Sequence, residues 1–151
     1  MTIGVVIVTF RCRDLALAAL RSLEARAPEL LQTTVVVDNA SFDGTVEAVR
    51  AAFPAVTVVE HRRNLGFAAA VNRGIDALPN ADVICLLNPD AELLDDGIFA
   101  AATYLEAHPD VGVLGGRILN PDGSIQPSAR AFPSHKNALF NRHSLLTKLF
   151  P

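Results

Sequence analysis

The stretch VICLLNPDAE, residues 83–92, decides the expected fold. Residues 83–87 are an unbroken apolar run, which is typical of a strand buried on both faces in a parallel sheet. Pro89 ends such a strand, because proline has no N–H for the ladder. Asn88 and Asp90 are thereby delivered to the carboxyl edge of a sheet, where open α/β sheets bind ligands. An exposed carboxylate there could hold a hard cation and, through it, a phosphate; a plain polar turn is the alternative.

Composition narrows the class of protein. The 151 residues suit one compact α/β domain, half of the residues are hydrophobic, and the net charge is −3. The absence of a basic stripe argues against nucleic-acid binding, and no run of about 18 apolar residues could span a membrane. The apolar start predicts a first strand rather than a signal peptide. Cys12 and Cys85 show no metal-ligand spacing, which favours reduced thiols in the cytoplasm.

Strands and helices are expected to alternate outward from this stretch. Besides 83–87, the β-branched runs predict strands at Ile3–Thr9, 34–37, 56–59 and 111–114. Helical spacing predicts four helices, each with one inward apolar face. The inward residues of the first two are Leu15, Ala19, Leu20, Leu23 and Ala27, after a capping Asp14, and Val46, Val49 and Phe53, after Asp43-Gly44-Thr45. Those of the last two are Phe67, Val71, Ile75 and Leu78, and Leu94, Ile98, Ala102 and Leu105, with Asp95 and Asp96 in the first turn of the fourth helix. The alternation predicts right-handed βαβ units and a parallel sheet covered on both faces.

The predicted alternation of strands and helices ends at residue 116. The turn signal Asn120-Pro121-Asp122-Gly123 predicts a hairpin of residues 117–119 and 124–126, followed by irregular chain. Residues 139–150 form a weak amphipathic pattern with basic residues, which could dock on a partner segment, lie on a membrane or be helical without a function. We therefore divide the chain into an α/β domain, residues 1–116, and a hairpin with an irregular or amphipathic tail, residues 117–151.

Polar residues follow three of the predicted strands: Thr9-Phe10-Arg11, Asp38-Asn39-Ala40-Ser41 and Asn88-Pro89-Asp90. Because the carboxyl ends of parallel strands share one edge, the three groups are expected to form one small-molecule site. Asp38 could accept a hydrogen bond from a nucleobase N–H, or it could be a turn or cap residue.

The third helix begins near the same edge. Asn64 is either a ligand contact or the helix N-cap, and Gly66 either lets the backbone approach a ligand or eases the turn. Asn72 and Arg73 suit a phosphate contact or an exposed helix face equally, and the four histidines are assigned to the surface. The chain has no glycine-rich phosphate loop, which argues against a dehydrogenase or an ATPase.

Five blocks of sequence resemble glycosyltransferase family two, and most closely its rhamnosyltransferase-like branch. The blocks are VVIVTF (5–10), VVDNASFDGT (36–45), NLGFA (64–68), LLNPD (86–90) and GGRILNPDGSIQPSAR (115–130). The resemblance implies a Rossmann-like GT-A fold, three α/β/α layers around a mostly parallel sheet, truncated before the acceptor-binding half. It also implies a nucleotide-sugar donor.

The expected donor site collects residues from the three strand ends and the third helix. It comprises Thr9, Phe10, Arg11, Asp38, Asn39, Ser41, Asn64, Gly66, Phe67, Asn72, Asn88 and Asp90. In the family an Asp-x-Asp motif holds a divalent cation on the diphosphate, and Asn88-Pro89-Asp90 stands in its place with Asn for the first Asp. The resemblance therefore implies Asp90 as the ligand of Mg²⁺ or Mn²⁺, with phosphates and water completing the shell.

The resemblance further implies inverting sugar transfer, for instance from dTDP-rhamnose, to a glycan or lipid-linked acceptor, at the cytoplasmic face of a membrane and without a transmembrane segment. The family's general base lies in a later acidic motif, so we assign no catalytic residue here and expect this chain alone to bind donor but transfer little sugar. An exposed sheet edge or helix face could also drive self-association. The alternative is a non-catalytic nucleotide-sugar-binding or interaction module. A nucleotidyltransferase is disfavoured, since residues 10–13 contain no glycine.

Overall fold

The computed structural model describes residues 1–127. Residues Met1–Leu114 form one compact unit, and a second begins at Gly115. The elements of the first unit are, in chain order, β1 Ile3–Thr9, α1 Arg13–Arg26, a 3-10 helix Pro28–Thr33, β2 Thr34–Asp38, α2 Thr45–Ala52, β3 Thr57–Glu60, α3 Phe67–Asp76, β4 Val83–Leu86 and α4 Gly97–Ala107.

The four strands form one parallel sheet in the order β3-β2-β1-β4. β1 pairs with β2 from Val5 opposite Thr34 to Thr9 opposite Asp38, and with β4 from Ile3 opposite Val83. The long β-branched runs of β1 and β2 are buried along almost their whole length, as central strands of parallel sheets are. The expected parallel α/β fold is confirmed.

Alternate residues of β1 face two different helix layers. Val5 and Ile7 join the core formed with Leu20 and Leu23 of α1 and with residues of α2 and α4. Val6 joins a second core that contains Ala70 of α3. Because side chains of a strand alternate between faces, this division places α3 on one side of the sheet and α1, α2 and α4 on the other. The expected three-layer arrangement is therefore present.

The inward face of α3 differs from the prediction. Phe67 and Ile75, which were expected to face inward, are 56% and 38% exposed, whereas Ala70, Val71 and Gly74 are buried. A Cβ atom at Gly74 would lie 2.5 Å from Cγ1 of Val6. The helix thus packs on β1 through its small residues, which allow a close approach that large apolar residues would prevent.

The opening stretch is less buried than expected. β4 lies at an edge of the sheet among the described residues, and its Leu86 is 51% exposed. The prediction that this strand is buried on both faces is therefore wrong. An apolar sequence does not determine whether a strand lies in the centre or at the edge of its sheet. The expected strand at 111–114 is also wrong: no strand is assigned there in the described part, and Val113 is 89% exposed.

Several helix boundaries differ from expectation as well. Cys12, not Asp14, is the N-cap residue of α1, since α1 begins at Arg13. α4 begins at Gly97, so Asp95 and Asp96 precede its first turn, and Asp95 Oδ1 accepts a hydrogen bond from the Gly97 N–H. The expected inward Leu94 likewise precedes the helix and is exposed. The 3-10 helix was not predicted.

In the second unit, the predicted turn forms around one antiparallel bridge between Leu119 and Ile125 rather than two full strands. The N–H of Asn120 donates to the carbonyl of Ser124 at 2.8 Å. The expected helix at 139–150, and all but the start of the expected irregular tail, lie outside the described residues. Within the described range, no helix is both long and apolar enough to cross a bilayer.

Candidate functional site

A buried hydrogen bond joins the carboxyl ends of β1 and β2. Thr9 Oγ1 donates to Asp38 Oδ1 at 3.0 Å, and the Ser41 N–H donates to Asp38 Oδ2, also at 3.0 Å. The backbone continues the link, because the Asn39 N–H donates to the Thr9 carbonyl at 2.9 Å. Each carboxylate oxygen has accepted one protein hydrogen bond and keeps further lone pairs. Asp38 is thus held in one orientation and can still accept a donor from a ligand.

The segments that follow these two strands contain left-handed backbone. Arg11, Ala40 and Phe42 have φ angles of 52°, 67° and 52°, the only positive values of non-glycine residues in the described chain. The Arg11 N–H donates to Ser41 Oγ at 3.0 Å and ties the two segments together. Such conformations cost roughly 1–3 kcal/mol each and cluster at ligand sites. They leave Phe42 84% exposed at the rim of this edge.

Asn39 organises the loop that precedes α3. Its Nδ2 group donates to Asn64 Oδ1 at 2.8 Å and to the Gly66 carbonyl at 3.3 Å. Its Oδ1 accepts from the Leu65 N–H at 2.9 Å and meets His61 Nδ1 at 3.1 Å. Because an amide oxygen only accepts, the His61 hydrogen must reside on Nδ1. All four hydrogen-bonding positions of the Asn39 side chain are therefore occupied by protein groups.

His61 is the residue here that sequence reasoning missed. All four histidines were assigned to the surface, but His61 is half-buried and bound to Asn39. The sequence carries one weak signal for this contact, namely that His61 immediately follows β3, next to β2 in the sheet.

The start of α3 presents backbone at the same edge. Gly66 has φ 84° and ψ 166°, a region essentially restricted to glycine, and is the N-cap residue of α3. Asn64 is therefore not the N-cap, but its Oδ1 accepts a hydrogen bond from the Gly66 N–H at 2.9 Å. Phe67 opens the helix as an exposed side chain. Asn72 is exposed farther along α3, and no hydrogen bond within the described residues joins it to the others.

The end of β4 delivers the predicted carboxylate to solvent. The Leu87 N–H donates to the Val6 carbonyl at 3.0 Å and extends the ladder by one bond. The turn closes with the Ala91 N–H on the Asn88 carbonyl at 3.1 Å. Asn88 and Asp90 are both exposed. The described residues contain no group of three or more His, Cys, Asp or Glu residues that could hold a metal ion by themselves.

The carboxyl ends of β1, β2 and β4 lie at one edge of the sheet, because β1 pairs in parallel with β2 on one side and with β4 on the other. Burial raises the pKa of the Cys12 thiol, and the negative charges of Asp43, Asp38 and Asp90 raise that pKa further. Asp38 is the last residue of β2, Cys12 lies in the loop after β1 and Asp90 in the loop after β4. The three strand ends therefore share one edge, as expected for parallel strands; that their side chains bind one ligand stays a prediction.

Asp43 belongs to this neighbourhood and was predicted only as part of a helix start. Hydrogen bonds from the Thr45 hydroxyl and N–H, together with one from the Arg13 N–H at 3.4 Å, hold the pKa of Asp43 below its ordinary value. Two hollows flank it. An open depression of about 400 Å³ is lined by Arg11, Cys12, Arg13, Asp14, Leu15 and Asp43. A smaller one of about 80 Å³ is lined by Asp38, Ser41, Phe42, Gly44, Thr45, Val46, Glu47, Glu60 and His61.

The sequence profile described as "Glycosyl transferase family 2" matches residues 4–148. The chain belongs to this family. It is 35% identical over 118 residues to the N-acetylglucosaminyl-diphospho-decaprenol L-rhamnosyltransferase of Mycobacterium tuberculosis, in strains CDC 1551 / Oshkosh and H37Rv. That match covers 72% of this chain and 38% of the relative, so the chain spans well under half the length of its curated relatives.

Solved structures agree with the family. The mannosyltransferase PcManGT from Pyrobaculum calidifontis, determined in complex with GDP-Man and Mn²⁺, superposes with a TM-score of 0.63 at 27% identity, over 73% of this chain and 33% of that one. S. aureus TarS 1–349 in complex with UDP superposes with a TM-score of 0.61 at 20% identity, over 72% and 33%, a likeness of fold alone. The expected GT-A fold is confirmed.

Proposed function

We propose that the protein transfers a sugar from a nucleotide-sugar donor to a glycan or lipid-linked acceptor, and that the described residues form its donor site. The observation that carries the proposal is that the ends of β1, β2 and β4, which bring Thr9, Asp38 and Asp90, lie at one edge of the parallel sheet. This edge is where open α/β sheets bind ligands. Membership of glycosyl transferase family 2 supports the reaction class.

The nucleoside is proposed to bind at the ends of β1 and β2. Asp38 is buried and fixed by Thr9 and Ser41, so its remaining lone pairs offer preorganised acceptors to a nucleobase N–H. Phe10 is exposed beside it with the Arg11 guanidinium 5.2 Å from the ring centroid, an apolar surface next to a positive charge. Both features suit a flat base linked to an anionic diphosphate.

The diphosphate and cation are proposed to bind at the end of β4. One exposed carboxylate, Asp90, and one amide oxygen, Asn88, are too few to hold a cation alone. They fit a Mg²⁺ or Mn²⁺ ion that arrives with substrate phosphates, since such ions use one or two carboxylates and take the rest of their shell from phosphate and water. When bound, the ion would neutralise charge that develops on the leaving diphosphate.

The proposed reaction is an inverting displacement. An acceptor hydroxyl oxygen attacks the anomeric carbon on the face opposite the diphosphate. The bond between the anomeric carbon and the diphosphate oxygen breaks, and its electron pair leaves with that oxygen. The hydroxyl proton passes to a general base, for which we assign none of the described residues. The site residues proposed here bind and orient the donor, so that the leaving group lies at Asp90.

The relative's name guides the choice of substrates. The M. tuberculosis protein is named for L-rhamnose transfer to N-acetylglucosaminyl-diphospho-decaprenol. By that likeness, dTDP-rhamnose is the first donor to test, and a polyprenyl-diphosphate-linked glycan at the cytoplasmic face of a membrane is the first acceptor.

A panel of donors tests the proposal. Melting temperatures are measured for the full-length protein with dTDP-rhamnose, UDP-GlcNAc and GDP-mannose, each with and without Mn²⁺. A donor at a hundred times its Kd stabilises the native state by about 2.7 kcal/mol, which raises the melting temperature by several degrees. We expect one donor to do so with Mn²⁺ present. No increase with any member of the panel would overturn the proposal.

A further inference from the structure

The segment that carries Asp90, residues 88–96, runs between β4 and α4 without regular secondary structure. Its near end is fixed where the Leu87 N–H meets the Val6 carbonyl. Within the described chain, one hydrogen bond connects the segment to a sequence-distant element: the Leu93 N–H donates to Ser22 Oγ at 2.9 Å. The tie lies three residues beyond Asp90.

The Ser22 hydroxyl both donates and accepts a hydrogen bond. It lies on the buried face of α1, and Oγ donates to the Ala19 carbonyl at 2.7 Å while accepting from Leu93. Because that donation fixes the direction of the hydroxyl hydrogen, a lone pair is left aimed at the incoming N–H. Serine is a weaker helix former than alanine, so helix propensity gives no reason for a serine here.

Apolar contacts support the same tie. The side chains of Ala91 and Leu93 are partly buried against the core that contains Ala19, Leu20 and Leu23 of α1. These contacts are non-directional and allow the segment to slide, whereas the Ser22 hydrogen bond fixes its register.

We propose that Ser22 is a positioning residue for Asp90: its hydroxyl holds the segment at Leu93 and so fixes the position of the Asp90 carboxylate. This inference rests on the proposed donor site. Because the chain is held at Leu87 and at Leu93, the backbone around Asp90 is already ordered before a cation–diphosphate binds. Without the Ser22 hydrogen bond, the entropy lost in ordering this backbone opposes binding, and the affinity for the cation falls.

Three variants of the full-length protein test this role. Ser22→Ala removes the acceptor and favours the helix, and Ser22→Thr restores a hydroxyl. Thr103→Ala is the matched control, because the Thr103 hydroxyl also bonds back within its own helix, to the Phe99 carbonyl at 2.9 Å. Amide hydrogen exchange of segment 88–96 is measured without ligand, and the Mn²⁺ concentration for half-maximal donor binding is measured separately.

In Ser22→Ala we expect faster exchange of the Leu93 amide and a Mn²⁺ midpoint raised about three- to tenfold, corresponding to the loss of one hydrogen bond. Donor affinity without Mn²⁺ stays as in the wild type, Thr103→Ala matches the wild type in both measurements, and Ser22→Thr recovers most of the loss.

Two other outcomes overturn the inference in distinguishable ways. If the wild type binds donor with Mn²⁺ but the Mn²⁺ midpoint of Ser22→Ala equals that of Thr103→Ala, Ser22 has only a structural role. If the wild type shows no Mn²⁺-dependent donor binding, the proposed donor site itself is wrong and the role of Ser22 fails with it.

Discussion

Thr9 Oγ1 lies 3.0 Å from Asp38 Oδ1, and the two residues are register partners at the last position of the β1–β2 ladder. Both side chains are almost fully buried. The Asp38 carboxylate therefore has a fixed direction before any ligand arrives. A preorganised acceptor of this kind loses little entropy on binding, which makes it well suited to recognise a ligand N–H.

The hydroxyl of Thr9 can be removed without changing its shape. Thr9→Val leaves Asp38 Oδ1 buried with one donor fewer, so we expect the free energy of unfolding to fall by about 1–3 kcal/mol. Urea denaturation measures this loss, and donor affinity is expected to fall in parallel. Thr9→Ser keeps the hydroxyl and is the control. A Thr9→Val protein as stable as the wild type would show that the hydrogen bond contributes nothing.

The amide of Asn39 can be converted to a carboxylate of nearly equal size. Asn39→Asp cannot donate to Asn64 Oδ1 or the Gly66 carbonyl, and it places negative oxygens against both. Because the oxygen that replaces Nδ2 would be a buried charged acceptor facing two other acceptors, we expect a loss of at least about 2 kcal/mol and faster amide exchange at residues 61–66. Asn80→Asp, the same change at an exposed position, is the control. Equal melting temperatures for the two variants would contradict the network.

Glycine at position 66 is predicted to be required for its backbone alone. No atom lies within 4 Å of a Cβ atom added there, so Gly66→Ala meets no clash but must strain at φ 84°. We expect a loss of about 1–3 kcal/mol in thermal or urea unfolding. Gly112→Ala also meets no atom within 4 Å and lacks the positive φ, so it should change stability by less than about 0.5 kcal/mol. Similar losses at both positions would exclude backbone strain as the cause.

The thiol of Cys12 reports on the nearby carboxylates. Burial and the charges of Asp43, Asp38 and Asp90 raise the pKa of this thiol above its ordinary value, so little thiolate exists at neutral pH and alkylation by iodoacetamide should be slow. Removing one negative charge in Asp43→Asn should move the midpoint of the rate–pH profile to lower pH. Cys85, whose pKa is raised by burial alone, serves as an internal control and should not change. A Cys12 midpoint unaffected by Asp43→Asn would contradict the proximity of the Asp43 carboxylate to the Cys12 thiol.

Local sequence determined most of the fold. β1 has its predicted limits because its run rich in β-branched residues is followed by Phe10-Arg11-Cys12-Arg13, which does not continue that pattern. The inward positions Val46, Val49 and Phe53 at α2 are buried as predicted, since their spacing leaves a single apolar face. On α3, Val71 is buried as predicted, but the exposure of Phe67 and Ile75, like that of Leu86 in β4, depends on the neighbour each element meets, which a periodicity does not encode.

The candidate site divides in the same way. Its strand-end residues were predictable, because parallel topology alone brings Thr9, Asp38 and Asp90 to one edge. The contacts of Asn39 with His61 and of Leu93 with Ser22 were not predictable. The two partners are separated by 22 positions in the first contact and by 71 in the second, and side-chain geometry over such distances has no local sequence signature. The supporting hydrogen bonds of the site thus became visible only in the structure.

Asp90 is proposed to bind the cation of a nucleotide-sugar complex. The most direct test compares the melting temperatures of wild type, Asp90→Ala and the exposed-carboxylate control Asp110→Ala with the best donor, with and without Mn²⁺. We predict that Mn²⁺ increases the donor-induced shift by several degrees in the wild type and in Asp110→Ala, and that Asp90→Ala loses this increase while its ligand-free melting temperature is unchanged. An Asp90→Ala protein that retains the full Mn²⁺-dependent increase would contradict the account.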